Sequence, residues 1–215
     1  MNSTLSTPTR VHEVEPRIPG MKVTQWRVVE SEWTKFRSLR STRITLLVIV
    51  VLTVGLGALI SGVLASNWST APAGERARFN PIVISLSGVN IAQLAVGVLG
   101  VLLISGEYAT GMIRASLTAV PKRLQVLWAK LAVFAAVVGV ISVISAFAAF
   151  FLGQSLLSSQ NIQASISSPN ALRMVLGAGA YLILVGIIGM ALGGLLRNTA
   201  AGISTLVALF FVIPP

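Results

Sequence analysis

The residues with the most chemistry in this 215-residue chain lie in one short stretch, GEYATGMIRASLTAVPKRLQVLWAK, Gly106 to Lys130. It holds one acid, Glu107, and four basic residues, Arg114, Lys122, Arg123 and Lys130, with apolar residues interleaved. Gly111 is placed to interrupt a helix, and Pro121 suits the first position of a new one. The pattern predicts helix, break, short helix and Pro-started helix. Two readings are open for it: a segment that presents side chains to a partner, or a basic loop that anchors to anionic lipid.

Catalytic chemistry has little material here. Cysteine is absent, so disulfides, thiol catalysis and cysteine-ligated metals are excluded. Aspartate is absent, and all six acids are glutamates. The one histidine, His12, lies in a polar leader beside Glu13 and Glu15, as a solvated residue would. No GxxxxGK[ST], HExxH or GxSxG pattern occurs. An enzyme is not expected, and no cofactor or metal is expected to bind this chain.

The elements around that stretch are apolar. Hydrophobic residues make up 54% of the chain and charged ones 10%, against roughly 25% charged in a soluble domain. A surface facing water needs more charge than that, so lipid is the expected solvent. The net charge of +10 does not indicate nucleic acid, because the basic residues flank apolar runs. Five runs are expected to span: 44–65, 82–105, 131–152, 174–196 and 198–213, the last being short. The expected fold is all-α, a polytopic helical membrane protein in a transmembrane domain over 44–215. Residues 1–21 form an expected disordered leader.

Residues 22–43 look amphipathic. At about 100° per residue, Trp26, Val29, Trp33, Phe36 and Leu39 share a side, and Glu30, Ser31, Thr34, Lys35 and Ser38 lie opposite. Trp26 and Trp33, with Phe36 between Lys35 and Arg37 and with Arg40 beyond, suit the headgroup layer. An interfacial helix is expected before the first span. Thirteen basic residues fall on the side of the leader and the 106–130 loop, and three, Arg76, Arg78 and Arg173, fall opposite. That asymmetry puts the N-terminus and the loop in the cytoplasm.

No Lys, Arg, Asp or Glu lies mid-span, which argues against a secondary carrier. Asn90 and Gln93 are one turn apart in the second span. They serve either as interhelical hydrogen bonds or as a polar patch on a substrate path. Small residues recur, as in Gly189-Met-Ala-Leu-Gly193, and suit close helix packing.

Three pieces, SEWTKFRSLRSTRITL, the 106–130 stretch and GMALGGLLRNTAAGISTLVALFFVIPP, resemble permease subunits of ABC-2-type ATP-binding cassette transporters of the bacterial exporter kind. The resemblance covers residues 26 to 215. It implies a separate P-loop ATPase subunit that carries ATP and magnesium, and a second permease copy, identical or not. It implies a multi-pass protein of the bacterial plasma membrane. It makes residues Tyr108 to Ala119 similar to a coupling helix, with Arg114 as the polar contact to the ATPase. Met112, Ile113 and Leu117 would be the apolar contacts, and Glu107 would fix the loop at the membrane surface. The family's usual sixth span has no counterpart before Pro215. The alternative is a membrane anchor or immunity-type protein that does not transport but binds a cytoplasmic partner through the same loop.

Overall fold

The computed structural model describes residues 25–111 and 123–212. Every regular element among them is helical. Four helices are long and apolar enough to cross a membrane: Arg40–Ser66, Val89–Ala109, Gln125–Gln160 and Ala171–Leu196. A shorter apolar helix, Thr199–Val212, follows them where the fifth run is expected.

Helix α1, Gln25–Ser38, precedes the first long helix. It ends at Leu39, whose extended backbone (φ −76°, ψ 118°) turns the chain into α2, Arg40–Val50. The sequence places one amphipathic element over 22–43, whereas the break falls at Leu39 and assigns Arg40 and Arg43 to the first turn of the long helix. One π-helical turn, Val51–Gly55, interrupts this helix before α3, Leu56–Ser66, completes it.

After a surface turn and α4, Ala73–Ala77, the chain returns through α5, Pro81–Ser85. Asn80 caps α5 by accepting from the Ile82 and Val83 amides, and Pro81 supplies the preset φ of a first helical residue. The run expected as one span from 82 to 105 is broken at 86–88, and α6 occupies Val89–Ala109. Gly88 lets this segment lie close to the first long helix: a Cβ there would collide with the carbonyl oxygens of Leu52 and Thr53 in the π-helical turn.

Two long helices follow, α7 at Arg123–Leu157 and α8 at Ala171–Leu196. They are followed by α9, Thr199–Val207, which runs into a closing π-helical turn. Helices α6 and α8 make the most extensive contact in the bundle. Their backbones touch through glycine: a Cβ on Gly100 would strike the Gly186 carbonyl, one on Gly189 the Gly97 carbonyl, and one on Gly193 would come 2.6 Å from the Val101 oxygen. In hydrocarbon, where burial of apolar surface gives no drive, such close approach supplies the dispersion attraction that holds helices together. Phe134 of α7 closes the seam against Gly186 and is fully buried.

At the end of the bundle where α2 begins and α6 finishes, Ser105 and Thr199 share a 2.8 Å hydrogen bond. The Arg197 guanidinium lies 5.5 Å from the centre of the Tyr108 ring. At the opposite end Gln154 of α7 donates to the Pro81 carbonyl (3.0 Å) and to Ser85 Oγ (2.8 Å). It also accepts from the Ala164 amide at 2.6 Å.

A buried charge cluster at the base of the charged loop

Helix α1 lies alongside the first turns of α7, and the partners climb together. Gln25 donates to the Gln125 carbonyl, Val28 packs on Val126 and Ala129, and Glu32 meets Lys130. The buried stripe of α1 is Val28, Glu32 and Phe36, spaced four residues apart. It is rotated by roughly 60° from the stripe the sequence suggests. Phe36 is buried as expected, but Trp26 is 75% exposed and Trp33 46%. Hydrophobicity alone selects the tryptophans. The packed face is chosen instead by a glutamate that finds a charged partner about one hundred positions away.

That partner sits in a four-residue cluster. Lys130 Nζ donates to Glu32 Oε2 at 2.5 Å and to Glu107 Oε1 at 2.8 Å. Lys35 Nζ donates to Glu32 Oε1 at 2.8 Å and stands 3.8 Å from Glu107 Oε1. Glu32, Glu107 and Lys130 are all buried. Burial pushes the Glu32 carboxyl up, but Lys130 and then Lys35 outweigh it and hold it below its ordinary 4.5. Two acidic and two basic side chains match, as groups removed from water must.

The positions of the four residues matter. Glu107 is near the last turn of α6, and Lys130 is two turns into α7. Between them lie residues 112–122, so the cluster ties together the two bases of the charged loop and fixes α1 to both. Glu107 thus lies where it can fix the loop's base. Tyr108 is half-buried beneath Arg197, and Gly111 carries φ +71°, the left-handed turn that ends α6. Met112, Ile113, Arg114, Leu117, Pro121 and Lys122 lie outside the described residues. Arg123 opens α7, with its side chain outside them. Arg37 and Arg40 are exposed.

A cavity of about 450 Å³ opens at the cluster. Glu32, Glu107 and Lys130 form its polar floor, and Phe36, Leu103 and Val133 line its walls. Glu107 Oε2 is buried and has no hydrogen-bond partner among the described residues. Among the described residues no group of three or more His, Cys, Asp or Glu side chains could hold a metal ion.

The other pair singled out by type behaves differently. Gln93 is buried. Its amide donates to the Asn90 carbonyl at 2.8 Å, and its oxygen accepts from the Tyr181 hydroxyl of α8. It is a strut between α6 and α8. The Asn90 side chain is exposed. Sequence reasoning did not find the roles of Glu32 and Lys130. The available signal covered Lys130 only: Glu107 ends one apolar run and Lys130 starts the next, which a helical hairpin brings level, while nothing local marks Glu32.

Compared with protein-family models, curated proteins and solved structures, the chain finds no match.

Proposed function

We propose that the chain is the membrane-spanning subunit of an ABC-2-type exporter, driven by ATP hydrolysis in a separate P-loop subunit. It would work as one of a pair of permeases in a bacterial plasma membrane, with its N-terminus in the cytoplasm. The resemblance of the three quoted pieces suggests the reading. One observation carries it further: the Glu32–Lys130–Glu107 cluster joins α1 to both ends of the 106–130 segment. A partner that pushes on the segment would move α1, α6 and α7 as one body. A lever of this kind needs a rigid base, and buried, hydrogen-bonded charge supplies one. In this reading the chain contributes a path and a lever, and its partner contributes the catalysis.

The test is to purify the tagged chain in mild detergent from its own host and identify the proteins that accompany it. A stoichiometric P-loop ATPase is expected, lost on Arg114→Glu while membrane insertion persists. A folded preparation without any ATPase would overturn the reading in favour of a membrane anchor. A reporter fused after Ala73 should lie outside the cytoplasm.

A further inference from the structure

The break at Leu39 brings together two arginines that a continuous helix would hold apart. Arg37 and Arg43 are six positions apart, which in one uninterrupted helix sets them about 120° apart around the axis. With α1 ending at Ser38 and α2 starting at Arg40, both line one hollow of about 400 Å³, together with Trp33, Thr34 and Ser38. No acid is among its described lining residues. The Thr34 and Ser38 hydroxyls donate to the Glu30 and Lys35 carbonyls, which leaves the two guanidiniums as the hollow's charged donors. Neither guanidinium has an ion pair among the described residues, whereas Lys35 on the same helix is committed to the buried cluster. Two planar forks lining one space, with no carboxylate to pair them, suit an anion with several acceptor oxygens.

The surface next to the hollow indicates where that anion comes from. Leu47 and Val51 follow Arg43 at steps of four, so they continue its face along the helix. Both are exposed, as is Ile44 beside them, on a helix long and apolar enough to span. Trp33 is exposed at the hollow, as suits headgroup depth. Paired cations at the base of a bare apolar stripe match an amphiphile with an anionic head. We propose that Arg37 and Arg43 hold the phosphate of an anionic phospholipid, of the phosphatidylglycerol class, whose acyl chain lies along Leu47 and Val51. A headgroup without an ammonium keeps the full phosphate charge for the two guanidiniums. In a zwitterionic headgroup the tethered ammonium is carried toward the same two cations and repelled. The site needs a bilayer and no ATPase partner, so it stands or falls separately from the transporter reading.

Native mass spectrometry of the delipidated full chain tests it, with phosphatidylglycerol and phosphatidylethanolamine of the same acyl chains added at equal concentration. Phosphatidylglycerol should be retained in preference. Arg37→Gln and Arg43→Gln should each lower its retention about fivefold, the loss expected for one basic side chain beside an anionic headgroup. Arg40→Gln removes the same charge from a residue that does not line the hollow, and it should leave retention nearly unchanged. All three side chains are exposed, so thermal unfolding should be the same for the three variants. Equal retention of the two lipids by the unaltered chain would overturn the proposal. So would equal losses in all three variants, since the attraction would then belong to diffuse surface charge. Displacement of the lipid by excess inorganic phosphate would overturn it as well, because the hollow would then take a free anion and not a lipid.

Discussion

Both ends of the bundle are braced by polar side chains, but by different chemistry. At one end Lys130 bridges two carboxylates, and the cluster leaves Glu107 Oε2 unsatisfied beside a cavity. At the other end a neutral amide, Gln154, donates to two oxygens and accepts from one amide nitrogen. The second arrangement simply fastens a loop. The first holds three elements together through charges that depend on one another. Removing a member there costs more than the lost bond, because it strands a charge. The difference separates an end that only needs closing from an end suited to transmit movement.

The largest effect should come from Lys130→Met. It leaves Glu32 and Glu107 buried without their shared cation, and a loss of about 3–5 kcal/mol is expected. Thermal unfolding in detergent would measure it. Removing Glu32, Glu107 and Lys130 charges together (E32Q/E107Q/K130M) should recover most of that loss, since the three buried charges go together and the remaining cation, Lys35, is 35% exposed and stays hydrated. If the triple variant were as unstable as the single one, the cluster would be holding the fold by shape and not by charge.

Acid sharpens the same contrast. The Glu32 carboxyl lies below its unfolded value near 4.5, so its contribution is fully present above that pH and is lost as pH falls through the lowered folded value. Tryptophan fluorescence from Trp26 and Trp33 on α1 should shift in that acidic range for the unaltered chain and not for Glu32→Gln. The amide end has no comparable dependence. A smaller loss, about 1–3 kcal/mol, is expected for Gln154→Ala, which leaves the Ala164 amide and the Ser85 hydroxyl without it. Limited proteolysis between Ser158 and Asn170 would report the freed loop. Tyr181→Phe removes one bond between α6 and α8 and should cost only about 0.6 kcal/mol, because the glycine seam remains.

The long helices were legible because charge-free runs of that length have few other uses. The end of α6 at Gly111 was legible too, since glycine is the residue that adopts φ +71° without strain. The break at 86–88 was not. Nothing in Leu86-Ser87-Gly88 forbids a helix, and the closeness of Gly88 to two carbonyls of the first long helix is a tertiary contact that local pattern does not carry. The facing of α1 was hidden for the same reason. Glu32 reads as a solvated residue until Lys130 stands next to it. Local pattern specifies which segments are helical, while pairing between distant segments decides how they are rotated and where they break.

The partnership of Glu32 with Lys130 spans 98 positions. At synthesis rates of 5–20 residues per second, the acid emerges roughly 5–20 s before the base. For that interval α1 has no α7 to lie against, and two long helices are made before its partner arrives. Helix α1 is thus made ahead of all four long helices, yet its charged contact forms only once the third of them is in place.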